Sequence, residues 1–205
     1  MTTSETKSFR AEYVSWPRMA VMARRLALLV SAAGFRPDTI IAIARGGFVP
    51  ARILCDYLGV NELAGMRIAH YQAGAAMEKR ARLTAPVNVS IAGKKVLLVD
   101  DLIDTGGTFQ VALAHLRDLQ PRELKSAVLL VKPGADAKAD FVARRLLTWR
   151  WVVYPWAAVE DIGAFVKQKK MPRQPEQMRA RLAAELGLAI PRRLAGDIAR
   201  TISEE

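Results

Sequence analysis

The chain of 205 residues contains a single cysteine, Cys55. An intrachain disulfide is therefore impossible, and the disulfide-framework class of small secreted domains is excluded. Apolar neighbours Ile53, Leu54 and Leu58 mark Cys55 as a core residue rather than a nucleophile. The longest apolar runs fall well short of the roughly 18–20 residues that cross a bilayer, so no membrane span is expected. Met1 to Arg10 is polar and has no apolar core of the kind a secretory signal carries. Together these absences predict a cytoplasmic protein. No Gly-Lys-Ser or Gly-Lys-Thr occurs, which excludes a Walker A loop. There is no internal repeat and no long low-complexity segment. Acidic residues are also scarce, 20 against 31 Lys and Arg, and the net charge is +11. Such a balance favours anionic partners, nucleotides or nucleic acid, without choosing among them. What is present is an ordinary globular mixture, 51% hydrophobic and 25% charged, enough for one domain with a real core.

One stretch organises the rest: Val96-Leu97-Leu98-Val99-Asp100-Asp101-Leu102-Ile103-Asp104-Thr105-Gly106-Gly107-Thr108. Four consecutive apolar residues read as a strand buried on both faces. Two adjacent carboxylates stand at its end. Thr105 to Thr108 read as a tight turn at the head of a helix over Phe109 to Leu119. Glycines there let backbone N–H groups approach a ligand closely. The helix N-terminus favours an anion, above all a phosphate. Asp100 and Asp101 repel phosphate, but they can hold sugar hydroxyls or a divalent cation through water. A phosphorylated sugar fits both halves. Three other readings share these residues. The Asp-Asp-x-x-Asp spacing also binds magnesium on helices of isoprenoid synthases, but here it follows a strand-like run and precedes Gly-Gly. Paired acids close a strand in response regulators, which have no need of Thr-Gly-Gly-Thr. The third reading is a helix cap with spare acids.

Two further strand ends carry cations. Thr39 to Ala44 is a short apolar strand, followed at once by Arg45-Gly46-Gly47. A guanidinium and two glycines in that place suit pyrophosphate. An ordinary strand-to-helix turn is the competing reading. Glu123 to Val131 is another strand, and Lys132 follows it directly, either aimed into a site or simply a strand-end surface lysine. Alternating strands and helices predict an α/β fold with a mainly parallel sheet flanked by helices. Ligands in such sheets sit at the strands' carboxyl ends, where Arg45, Asp100 and Lys132 all fall.

The remaining elements follow from pattern. Residues 1–14 read as a flexible lead-in. Ser15-Trp16-Pro17 opens a helix that stops near Gly34. Val49 to Leu58 is helical and Met66 to Tyr71 is a strand. Gln72 to Pro86 is a basic, small-residue loop with Lys79, Arg80 and Arg82, and Val87 to Ile91 is a second hairpin strand. From Ile162 the composition changes. The basic run Lys167-Gln168-Lys169-Lys170 leads into two helical patterns, about 175–186 and 191–202, separated at Gly187. The string from Arg181 to Gly187 resembles the first half of a helix-turn-helix, without a convincing second half.

The thirteen-residue stretch resembles the phosphoribosyl pyrophosphate (PRPP) motif of type I phosphoribosyltransferases. The chain is most similar to the purine branch of that family, the bacterial and archaeal xanthine-guanine and hypoxanthine-guanine enzymes. The resemblance implies the type I phosphoribosyltransferase fold over residues 15–166, with a hood built outside the sheet and a basic helical C-terminal extension over 167–205. It implies transfer of phosphoribosyl from PRPP to a 6-oxopurine (hypoxanthine, guanine or xanthine), with Mg2+ as cofactor. Carried over position by position, it assigns the ribose hydroxyls and the magnesium's water shell to Asp100 and Asp101. Asp104 is the general base or proton partner near the purine's N7. Thr105, Gly106, Gly107 and Thr108 hold the 5′-phosphate, and Arg45 and Gly46 hold pyrophosphate beside a cis peptide at Ala44–Arg45. Lys132 donates to the 6-oxo group. In Trp151-Val152-Val153-Tyr154-Pro155-Trp156, Trp151 stacks on the base and the backbone near Val152 reads its edge, with Trp149 and Trp156 as packing residues; core packing is the other reading of Trp151. The family also places a mobile flap near residues 72–86, for which a solvated hairpin is the alternative, and a homo-oligomer, dimer or tetramer, is expected. A PRPP-sensing regulator or an RNA- or DNA-binding protein on the same scaffold is the rival function, and an orotate or adenine enzyme is a second rival.

Overall fold

The structure, a computed structural model, describes residues 9–72 and 79–202. In chain order the elements are β1 (Ala11–Tyr13), α1 (Trp16–Ala32), β2 (Thr39–Ala44), α2 (Phe48–Leu58), β3 (Glu62–Gln72), β4 (Lys79–Ala85), β5 (Lys95–Ile103), α3 (Gly107–Asp118), β6 (Glu123–Val131), β7 (Phe141–Arg145), β8 (Trp151–Val153), α4 (Ala158–Gln168), α5 (Pro175–Leu186) and α6 (Arg192–Thr201). The chain packs as two compact units, residues 20–148 and residues 1–19 with 149–205. We call them the sheet unit and the terminal unit. The chain passes between them within α1 and again at 148/149. These boundaries differ from the 15–166 and 167–205 expected from the sequence.

The sheet unit is built on six strands in the order β4-β3-β2-β5-β6-β7. All neighbours are parallel except the β3–β4 pair. The apolar runs explain the centre. Val96 to Val99, Ile40 to Ile43 and Ala127 to Val131 are buried along their whole length, as strands covered on both faces must be. One side of the core gathers Ile41, Met66, Leu98, Phe109, Leu116 and Val128. The chain steps from β2 outward to β3, then returns to place β5 on β2's other side. The order of strands therefore reverses between β2 and β5. Their ladder ends at Ala42↔Val99, and the crevice beyond is where such sheets bind ligands.

The terminal unit has its own core. Strands β1 and β8 form a two-stranded parallel sheet, Ala11↔Trp151 to Tyr13↔Val153. Ala11 and Val153 pack with Ile162, Met178, Leu182, Leu186, Leu188, Ile198 and Ile202 from the three helices and their connections.

Several elements differ from their sequence-based outlines. Residues 11–13 carry a strand inside the expected lead-in, because a partner 140 residues away in β8 supplies a ladder that local pattern cannot announce. The hairpin strand beside β3 is β4, residues 79–85, rather than 87–91. Ala81 and Leu83 face the core while Arg82 and Thr84 are exposed, a period-two pattern hidden by short and charged side chains. Val87 and Val89 pack on the same core without a ladder. The Val87 N–H instead donates to His115 Nε2 at 3.3 Å. β5 runs past both acids to Ile103, and β7 and α4 have no counterpart in the sequence-based outline. The expected flap falls partly on 73–78, which lie outside the described residues; on either side, β3 and β4 form an antiparallel hairpin.

Candidate active site

Arg45, Gly46, Asp100, Asp101, Asp104, Thr105, Gly106, Gly107, Thr108 and Lys132 all belong to the sheet unit, at the carboxyl ends of β2, β5 and β6. The β2 end turns immediately into α2, and the Ala44–Arg45 peptide is cis. Two glycines make that turn sterically feasible. A Cβ on Gly47 would lie 2.5 Å from the Val99 carbonyl oxygen, and one on Gly46 would lie 2.3 Å from Asp101 Oδ2. The Asp101 carboxylate is thus set directly against the Arg45–Gly46 backbone, so the anion-directed loop and the acid pair share one crevice.

Asp100 lies beneath. It is buried, and its Oδ1 accepts the Asp101 N–H at 2.9 Å. Burial, reinforced by the neighbouring Asp101 carboxylate, pushes the Asp100 carboxyl well above the usual carboxylate range. Two adjacent acids that repel each other make an oxygen-only donor set in which added positive charge is favoured. Magnesium is characteristically held by one or two carboxylates together with water and substrate phosphate. The residues present therefore fit that ion.

The turn after Ile103 forms a cavity of about 190 Å³ lined by Asp100 and by residues 102–109. Gly106 sits at φ 107°, a conformation in which side chains are strained, and a Cβ there would lie 2.8 Å from the Ala137 backbone nitrogen. Glycine has no side-chain oxygen, so the head of α3 has no N-cap side-chain bond. The first-turn N–H groups of a helix are the ones that suit an anion. The segment after β6 braces this turn, since the Asp136 N–H donates to the Thr105 carbonyl at 3.0 Å and the Lys132 N–H to the Ile103 carbonyl at 2.9 Å.

Lys132 is the feature that changes most from sequence to structure. Its side chain is 2% exposed, and Nζ donates to Asp104 Oδ2 at 2.7 Å, while the Asp104 side chain is 46% exposed. Two residues assigned separate tasks from the sequence form one ion pair at the rim of the phosphate turn. A buried ammonium is tolerable only when paired, and Asp104 supplies that partner from a position open to solvent.

Trp151 and Val152 lie in the terminal unit. Trp151 is 38% exposed and is held from several directions. Its ring meets Phe165 edge-on at 6.1 Å and Phe9 tilted at 6.3 Å, and its indole N–H donates to the Asp161 carboxylate. Burial raises the Asp161 carboxyl above its ordinary value, against the lowering effect of the Trp151 bond. Val152 is buried and pairs with Glu12 in the β1–β8 ladder. Trp156 stacks on Tyr154 at 4.5 Å, consistent with packing. Phe9 and Asp161 have no signal in the sequence, because each matters only through the indole it touches.

A parallel sheet whose switch-point crevice carries an acid pair and a glycine turn at a helix head defines an α/β domain of the kind that takes ligands at its strand ends. The comparisons make this specific. Residues 10–160 match the family described as phosphoribosyl transferase domain, and the chain belongs to that family of phosphoribosyltransferases. It is 29% identical, over 76% of its length and 90% of the relative's, to xanthine-guanine phosphoribosyltransferase of Gluconobacter oxydans. It is 32% identical, over 63% of its length and 75% of the relative's, to the protein of the same name from Nitratidesulfovibrio vulgaris. The crystal structure of purine phosphoribosyltransferase from Pyrococcus horikoshii superposes with a TM-score of 0.64 at 30% identity, covering 72% of this chain and 94% of that one. The fold and the purine branch expected from the sequence are thus those of its relatives. No helix among the described residues is long and apolar enough to cross a membrane.

Proposed function

We propose that this chain transfers phosphoribosyl from PRPP to a 6-oxopurine, giving a nucleoside monophosphate and pyrophosphate. One observation carries the reading: the Lys132–Asp104 pair stands beside the phosphate turn that follows the Asp100–Asp101 strand end. A ligand whose 5′-phosphate sits in the turn has its sugar beside the acids and its base near the pair. The named relatives support the choice of a purine.

In this reading Thr105 to Thr108 hold the 5′-phosphate, and Arg45 with the Gly46 backbone holds pyrophosphate. Asp100 and Asp101 hold the ribose hydroxyls and the water shell of a divalent cation. Bound there, magnesium supplies neutralisation of the charge that builds on the leaving pyrophosphate. The bond from ribose C1 to the pyrophosphate oxygen breaks with its electron pair going to that oxygen. The sugar gains cationic character, and the purine nitrogen attacks, so placement counts for more than nucleophilic strength. Asp104, half open to solvent, takes the proton at the purine's N7 side. Lys132 then exchanges part of its bond with Asp104 for the 6-oxo oxygen, a donor that a 6-aminopurine cannot use. Stacking on the base is the role assigned to Trp151 from its sequence motif alone.

The test is pyrophosphate release from PRPP and magnesium with hypoxanthine, guanine, xanthine, adenine and orotate offered one at a time. Turnover with one or more 6-oxopurines, abolished by EDTA, is expected. PRPP binding without turnover on any base would replace the enzyme reading with a sensor.

A further inference from the structure

The basic tail is outside the residues matched by the family, and the reaction above makes no use of it. Its helices bury one face each: Met178, Leu182 and Leu186 on α5, Ala195 and Ile198 on α6. The opposite face of α6 carries Arg192, Arg193, Gly196 and Arg200, the i, i+1, i+4, i+8 spacing of a single stripe. This stripe and the residues Gln174, Pro175 and Glu176 line an open groove of about 550 Å³.

Three arginines and one acid, Glu176, line the groove. Glu176 is shared by Arg179 and Arg192, each at 2.9 Å, and Arg200 pairs with Asp197 on its own helix. Arg193 forms no ion pair among the described residues. The arginines are strongly exposed, 80% for the Arg192 side chain and 72% for that of Arg200. Gly196 is the informative member. Glycine is a poor choice inside a helix, and packing does not demand it here, because the nearest atom to an added Cβ is Arg200 Nη1 at 3.8 Å. What its absence of a side chain provides is a notch in the groove floor. Arg192 and Arg193 stand one turn before the notch, and the Arg200 guanidinium folds back over it. Guanidinium forks lining such a groove suit phosphate oxygens.

We propose that this groove binds the phosphodiester backbone of a nucleic acid strand, independently of sequence. Exposed cation–phosphate contacts are individually weak because water and salt compete with them. A useful affinity at such a surface needs a ligand that supplies several phosphates at once. Exposed Lys167, Lys169, Lys170 and Arg173 precede Gln174 in the chain, Lys169 being paired with Glu185 at 3.8 Å.

The experiment is fluorescence anisotropy of a labelled single-stranded RNA, and of the matching DNA, with the full-length protein across a salt series. Binding to either strand is expected, weakening steeply with salt. The triple substitution R192Q/R193Q/R200Q is expected to weaken binding at least about tenfold and to reduce the log–log salt slope by about 2, near 0.7 per lost phosphate contact on a single strand. Phosphoribosyl transfer by the triple variant is expected to be unchanged. G196A, which narrows the notch and favours the helix, is expected to weaken binding about two- to threefold while raising the thermal midpoint. Affinity within twofold of the parent in the triple variant would overturn the proposal. So would loss of RNA binding on saturating the catalytic site with PRPP, which would place the strand there instead. Capture of inorganic pyrophosphate or free nucleotide by the groove without any strand binding would also overturn it.

Discussion

Two anion-directed regions of this molecule are built on opposite plans. At the end of β5 the proposed contacts come from backbone, in a glycine turn braced by the 132–137 segment with two acids beside it. On α6 they come from long, exposed arginine side chains above a notch. Backbone donors fixed by packing discriminate shape, are poorly screened by salt, and fail when the main chain moves. Exposed guanidinium groups adapt to any phosphate, are screened strongly, and are replaceable one by one. Selective chemistry belongs to the first plan and sequence-independent attraction to the second.

Substitutions in the sheet unit can break this contrast, and the largest effect is expected at Gly106. Alanine there must adopt φ near 107° with its Cβ against the Ala137 backbone. We expect a stability loss of about 2 kcal/mol or more and a collapse of PRPP affinity, measured by urea unfolding and by titration calorimetry. A Gly106→Ala variant that binds PRPP normally would show that the turn is not backbone-built in the sense argued.

The Lys132–Asp104 pair comes next, because its partners are unequally buried. Asp104→Asn removes the carboxylate partner of a buried ammonium, whereas Lys132→Met leaves Asp104 in contact with water. The first substitution should therefore lower the thermal midpoint more than the second. Asp104→Asn should also reduce kcat about 100-fold or more while PRPP affinity changes little. An unchanged kcat would remove Asp104 from the chemistry. Lys132→Met should raise KM for the 6-oxopurine far more than KM for PRPP. Equal losses for both substrates would make Lys132 structural.

The smallest effect concerns Asp161 in the terminal unit. Burial raises its carboxyl above the ordinary value of 3.8, so the folded state holds this proton more tightly than the unfolded chain. The stabilisation this gives is fully present below the ordinary value and fades as pH rises through the elevated one. Asp161→Asn keeps an acceptor for the Trp151 indole but cannot titrate. Its unfolding free energy should vary less with pH from about 3.8 upward than that of the parent, read from denaturant midpoints across a pH series. Identical pH profiles would mean that Asp161 titrates alike folded and unfolded. Trp151 fluorescence gives the second readout. It is expected to stay near the parent's in the Asp161→Asn variant and to shift in the Asp161→Ala variant.

Residues that act through their immediate neighbours are legible in the sequence. Val96 to Val99 had to be a doubly covered strand, and the acids and glycines after it had to form a turn at a helix head, because burial, charge repulsion and glycine's conformational freedom all operate within a few bonds. Thr39–Ala44, Glu123–Val131 and Pro175–Leu186 follow from their own residue patterns for the same reason. Partnership over distance was not legible. Nothing near residues 11–13 indicates that β8 will pair with them, and nothing near residue 132 indicates that its ammonium will be buried on Asp104 rather than directed at solvent. Nor does the run of residues 192–200 show that Gly196 opens a groove among three arginines. The chemistry on offer at each strand end was set residue by residue along the chain. Which groups meet was decided by the packed fold, because a contact between residues far apart in the chain exists only once the intervening elements have packed.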